Sequence, residues 1–149
     1  MFRIKLRMAH FGRQVLAGDE TGRGRLWDAH TGQLLQTLAG HANGILGVTF
    51  SHDGKILTTS SMDATIRLWD ARTGATLRVL TAHTDSVRIA VFSSDDQWLY
   101  SASRDGTVRA WEVHYEDAVQ YVCARVVRDL TDEERSKYNI LDHDRSCSP

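Results

Sequence analysis

Cysteine is almost missing from this sequence. Cys123 and Cys147 are the only two in 149 residues, and both fall late in the chain. Two cysteines are too few for a disulfide scaffold, so the fold must rest on a hydrophobic core, and a cytoplasmic home is the default. No apolar run reaches the ~18 residues that a membrane-spanning helix needs. The segment from Met1 to His10 alternates basic and apolar side chains and lacks the apolar stretch of a secretory signal. Neither sign of charge dominates: 18 basic and 19 acidic residues leave a net charge of −1. That balance gives no electrostatic case for a nucleic acid or an anionic membrane as partner. The glycines are scattered and form no phosphate-binding loop. Seven histidines are present, but none makes a compact ligand set with the cysteines, so no metal and no cofactor is expected.

The sequence does contain a repeat. Trp27, Trp69 and Trp111 are spaced by 42 residues each time. Trp-Asp occurs at Trp27-Asp28 and Trp69-Asp70 and becomes Trp111-Glu112 in the third copy. Thr31-Gly32 and Thr73-Gly74 keep the spacing, as do His41 and His83. Residues 24–41 and 66–83 are identical at ten of 18 positions. Within each copy, short apolar runs alternate with polar turns. Ile45 to Phe50 and Val87 to Phe92 read as strands rich in β-formers. Each run leads into a polar turn, Ser51 to Gly54 or Ser93 to Asp96. The Asp53-Gly54 pair predicts a hairpin in which both central residues take positive φ. Further strands are expected at 55–60, 65–69 and near 76–80, and at 98–103 and 107–111. The first copy is degraded. Counting back by the repeat puts its inner strand at about Arg3 to Met8, with Arg3, Lys5 and Arg7 alternating with Ile4, Leu6 and Met8.

A repeat of about 40–45 residues with Gly-His and Trp-Asp signatures resembles the WD-repeat family over roughly residues 3–112. The resemblance implies an all-β fold, a partial β-propeller of about three four-stranded blades at 3–38, 41–80 and 83–113. A helical tail is expected to follow at 116–149. In the family a blade is locked by a hydrogen-bonded set of His, Ser or Thr, Asp and Trp. Matching positions are His41, Thr59, Asp63 and Trp69 in blade two, and His83, Ser101, Asp105 and Trp111 in blade three. Blade one departs: Ala17 and Thr21 stand where the hydroxyl and the carboxylate belong. The family usually binds partners on the face that carries the Gly-His and Asp loops, which puts Asn43, Met62, Thr84, Asp85 and Arg104 on a candidate docking surface. His41, Thr59 and Asp63 imitate a catalytic triad in composition. The set recurs 42 residues later, however, which suits a structural element better than an active site, and no catalytic residues and no enzyme activity are expected.

The tail reads as helix, with Ala118, Val119, Val122, Cys123 and Val126 on one helical face. Thr131 and Glu134 are spaced as a capping box for a second, short helix. Cys123 and Cys147 could pair or stay as free thiols. The segment CARVVRDLTDEERSKY and the ending SCSP resemble the tail that follows the last blade in large bacterial WD-repeat sensor proteins. That likeness implies a sensor or scaffold module at the C-terminal end of a larger signalling protein, with a protein partner of unknown identity. A closed propeller has typically 4–8 blades. Three blades therefore need upstream blades or self-association, unless the chain only completes a larger propeller and binds nothing itself.

Overall fold

The computed structural model describes residues 7–114, apart from the side chains of Arg7, Met8 and His10. The expected helical tail and both cysteines lie outside the described residues. The chain divides into two units, Met1–Trp111 and Glu112–Pro149.

The first unit is built of antiparallel sheets. Sheet one runs β1 (Arg7–Phe11), β2 (Gln14–Gly18), β3 (Arg23–Asp28) and β4 (Leu34–Ala39). Sheet two runs β5 (Ile45–Phe50), β6 (Ile56–Ser61), β7 (Ile66–Asp70) and β8 (Thr76–Leu80). Sheet three has three strands among the described residues: β9 (Val87–Phe92), β10 (Trp98–Ser103) and β11 (Val108–Glu112). In each sheet consecutive strands pair as hairpins, so the connections are short. No helix among the described residues is long and apolar enough to cross a membrane.

The sheets pack face to face with their first strands adjacent: β5 lies between β1 and β9. Period-two alternation supplies the apolar faces. Leu16, Leu26 and Leu38 of sheet one join Phe50, Leu57, Trp69 and Ala71 of sheet two in one buried cluster, with Ala9 and Val48 packed against it. Backbones come close at the loop end. Gly22 holds φ +82, and a Cβ there would stand 2.7 Å from the carbonyl oxygens of both His41 and Asn43. A side chain would therefore meet left-handed strain and two immovable carbonyls together. Gly22→Ala is expected to cost roughly 1–3 kcal/mol, read as a lower urea midpoint; an unchanged midpoint would mean that the loops of sheets one and two are not in contact.

Two expectations need correction. The inner strand of sheet one runs past the expected 3–8. Its described part is Arg7–Phe11, and Ala9 pairs Leu16 where Thr49 pairs Thr58 in sheet two. From β2 onward the 42-residue offset holds, but here it is 40, because the tight turn at Gly12-Arg13 replaces the longer Ser51–Lys55 turn. The shift brings Ala9 and Phe11 toward sheet two, where the Phe11 ring stacks on Phe50 at 6.1 Å. The second correction is to the Asp53-Gly54 turn. Only Gly54 takes positive φ (72°). Asp53 instead accepts bonds from the Ser51 hydroxyl at 2.7 Å and the Lys55 amide at 2.9 Å, so the turn is a longer loop pinned by side chains.

Candidate functional site

The Asp-containing turns put a carboxylate against the loop that enters each sheet. In sheet two, His41 precedes β5, Thr59 lies in β6, Asp63 sits in the β6–β7 turn and Trp69 lies in β7. Asp63 Oδ2 lies 2.8 Å from His41 Nδ1 and 2.9 Å from the Ala42 amide, which donates to it. Thr59 Oγ1 is 2.7 Å from His41 Nε2 and accepts the Trp69 Nε1–H at 2.9 Å. One proton arrangement satisfies every group. Trp69 donates to Thr59, Thr59 donates to Nε2, and a neutral imidazole donates from Nδ1–H to the carboxylate. The His41 side chain is wholly buried.

Sheet three repeats this geometry. His83 Nδ1 is 2.8 Å from Asp105 Oδ2, and His83 Nε2 is 2.8 Å from Ser101 Oγ. Trp111 Nε1 donates to Ser101 at 2.8 Å, and the Thr84 amide donates to Asp105 at 3.1 Å. Thr65 and Thr107 are further members that the sequence reading missed. Each hydroxyl donates to Oδ1 of its aspartate, at 2.7 and 2.6 Å. Their signal was present, since Asp63-Ala64-Thr65 and Asp105-Gly106-Thr107 keep the 42-residue spacing.

Sheet one is tied differently. Asp19, at the position equivalent to Ser61, accepts the amides of Thr21 and Arg23 and the Thr21 hydroxyl, and Arg25 Nη1 reaches its other oxygen at 3.0 Å. Another missed residue is Asp96. Its carboxylate crosses from sheet three to accept the amides of His52 and Asp53 at 2.9 and 3.0 Å, and it faces His52 Nδ1 at 3.0 Å. The equivalent position in sheet two is Gly54, so the repeat gave no hint of it.

The electrostatics favour a neutral His41 and ionised Asp63 and Asp105. Burial, partly opposed by Asp63, holds the His41 pKa below its ordinary 6.5. For Asp63, burial pushes upward, but bonds from Thr65, Ala42 and His41 outweigh it and the pKa lies below 3.8. Asp105 is likewise depressed, chiefly by the Thr107 hydroxyl and, against some burial, by His83. All three shifts have the same sign for stability. Each group binds protons less readily in the folded state, so each contributes stability that is lost on acidification. The His41 contribution is complete above about pH 6.5 and fades below it; the carboxylate contributions fade below about pH 3.8. The melting temperature is expected to be flat between pH 8 and 7, to decline below pH 6.5 and to fall more steeply below pH 4. A rise on going from pH 7 to 5.5 would contradict the neutral-histidine arrangement.

The histidine, hydroxyl and tryptophan of each set are buried and hydrogen-bonded to one another. Among the described residues no group of three His, Cys, Asp or Glu side chains is placed to hold a metal ion. The five candidate docking residues, Asn43, Met62, Thr84, Asp85 and Arg104, are all exposed. They stand on the β4–β5, β6–β7, β8–β9 and β10–β11 loops, at the strand ends that carry the two histidine sets. Their loops are fixed from below. The Met62 amide donates to Gly44 and the Arg104 amide to Ser86, both at 2.9 Å.

Comparison with known proteins agrees with this repeat. The family described as "WD domain, G-beta repeat" matches residues 32–70 and 74–112, together just over half of the chain. Autophagy-related protein 16 of Arabidopsis thaliana is 40% identical over 52 residues, 35% of this chain and 10% of that protein. The periodic tryptophan protein 2 homolog of Schizosaccharomyces pombe (strain 972 / ATCC 24843) is 42% identical over 41 residues, 28% of this chain and 5% of that protein. The matched stretch is thus a small part of either relative. With a repeating tryptophan, antiparallel sheets packed face to face and family matches to two successive repeats, the chain belongs to the WD-repeat family.

Proposed function

We propose that the chain is an arc of a WD-repeat propeller that acts as a rigid scaffold, holding a protein partner on its histidine-bearing loop face. WD repeats generally mediate protein interactions, and proteins built from them are typically non-enzymatic scaffolds. The observation that carries the reading is the common placement of Asn43, Met62, Thr84, Asp85 and Arg104. All five are exposed at one end of the strands, on loops whose backbones are pinned by the buried sets beneath. Pinning lowers the entropy lost on association, because the loops are already ordered. The mixture of one apolar side chain, both signs of charge and two neutral polar groups suits a protein surface better than a polyanion. In this reading the blades are the C-terminal part of a larger cytoplasmic signalling protein, whose other repeats complete the ring.

The competing reading is a purely structural segment, favoured by the outer face of sheet three, where Ile89, Val91 and Val108 are exposed and no other described residue covers them. Affinity purification of the full protein separates the two. A Met62→Glu/Arg104→Glu form is expected to lose a partner that a Leu77→Glu form retains, since Leu77 is 48% exposed but lies on an outer strand. Equal recovery of every partner with both forms would leave only the structural role.

A further inference from the structure

Asn43 and Gly44 form a dipeptide whose chemistry the scaffold reading does not use. Asn43 is exposed in the β4–β5 loop, and Gly44 is buried beside it. Glycine is there for room. A Cβ at Gly44 would stand 3.0 Å from the Glu20 carbonyl oxygen and 3.2 Å from the Glu20 Cα. The dipeptide is held by its carbonyls: Ser61 Oγ reaches the Asn43 oxygen at 2.9 Å and the Gly44 oxygen at 3.0 Å, and the Met62 amide donates to Gly44. The Gly44 N–H instead donates to Oδ1 of Asn43 at 2.8 Å. It lies just before β5, which begins at Ile45. Its nitrogen therefore sits beside the side-chain carbonyl carbon, and no side chain of residue 44 obstructs an approach. Sheet three carries Asp85 and Ser86 at the equivalent positions. The Ser86 amide donates to Asp85 Oδ1 at 2.6 Å, Ser103 Oγ reaches the two carbonyls at 2.9 and 3.1 Å, and the Arg104 amide donates to Ser86. One cage thus holds a carboxamide in sheet two and a carboxylate in sheet three. The Ser86 amide and hydroxyl keep the Asp85 pKa below 3.8, so the cage accepts the ionised form.

We propose that Asn43 is a deamidation site, converted in the folded chain to the aspartate that sheet three already carries. The Gly44 nitrogen attacks the Asn43 Cγ, a C–N bond closes a succinimide ring, and the side-chain nitrogen leaves as ammonia with the proton that Gly44 gave up. Water then opens the ring at Cγ, adding a hydroxyl to that carbon and returning a proton to the Gly44 nitrogen. The new acid ionises, and its proton ends on the ammonia. Opening at the main-chain carbonyl would insert an extra carbon into the backbone between the oxygens that Ser61 spans, so the cage favours aspartate over isoaspartate. The outcome is one negative charge gained on the loop face that carries Met62 and Arg104. Only the effect of that charge on a partner rests on the docking reading; the conversion does not.

Peptide mass mapping of the purified full chain, kept folded in mildly alkaline buffer, is the test. Electron-transfer fragmentation tells aspartate from isoaspartate. The peptide that holds Asn43 is expected to gain, progressively, the mass of an acid in place of an amide, and to do so as aspartate. Asn139 is the other asparagine in the sequence, and the branched Ile140 follows it, so its amide should persist. Asn43→Gln should abolish the change at this position, because the longer side chain would have to close a larger ring. An Asn43 amide that survives in the folded chain would overturn the proposal. So would an amide lost only after unfolding in urea, or isoaspartate as the main product. None of these results involves a partner, so failure here would leave the docking reading standing.

Discussion

Trp69→Ala is expected to cost about 3–5 kcal/mol, the largest loss of any single substitution in the described residues. Trp69 is 2% exposed and sits where sheets one and two meet, in the cluster of Leu16, Leu26, Leu38, Phe50, Leu57 and Ala71. Removing the indole opens a cavity that two rigid sheets cannot easily collapse. It also strips Thr59 of the donor at 2.9 Å. Arg67 adds to the site, with its guanidinium carbon 5.9 Å from the ring centroid. Trp27→Ala should cost clearly less, because Trp27 is half-buried and Ala17 stands where Thr59 receives the indole proton in sheet two. Urea denaturation of the two variants gives the comparison. Equal losses would mean that the tryptophans serve by their area alone and that the hydrogen-bonded set adds nothing.

The second large effect is at Asp63. Its carboxylate takes four donors: the Ala42 and Thr65 amides, the Thr65 hydroxyl and His41 Nδ1. Asp63→Ala leaves the buried Nδ1–H only the more distant Thr65 hydroxyl, at 3.2 Å, and is expected to cost roughly 1–3 kcal/mol. Asp105→Ala should destabilise in the same direction. The network also predicts coupling. Thr59→Val removes the hydroxyl that both receives Trp69 and donates to His41, so it should be non-additive with Asp63→Ala in a double-mutant cycle. Strict additivity would show that the two ends of His41 act independently.

The parts of the structure visible in the sequence are those written in the repeat. The bounds of β5 and β9 follow from apolar runs, and His41, Thr59, Asp63 and Trp69 were placed by the family likeness at positions that recur 42 residues on. The period obscured anything that breaks it. Shortening one turn to Gly12-Arg13 moved β1 by two residues along the chain, an even number that keeps the pleat in phase. The window at 3–8 took in Arg3, Lys5 and Arg7 and missed Ala9 and Phe11, although Arg7 does belong to β1. Contacts between sheets were equally hidden. Asp96 bonds across to His52 and Asp53, and no rule of local sequence joins residues 43 or 44 positions apart. The docking residues were placed by family likeness. Their exposure and common end are structural observations, while what binds them is chemistry outside this chain.

Amide hydrogen exchange at Ala42 and Thr84 is the most direct test of whether the buried sets hold the loop face. Both residues are exposed, yet each amide donates to an aspartate Oδ2, at 2.9 Å to Asp63 and 3.1 Å to Asp105. Both should exchange slowly in the wild-type chain. Asp63→Ala should accelerate exchange at Ala42 by at least about tenfold, the equivalent of one lost hydrogen bond, and leave Thr84 unchanged. Exchange at the rate of an unstructured loop at both positions in the wild-type chain would contradict the claim that these sets fix the loops they adjoin.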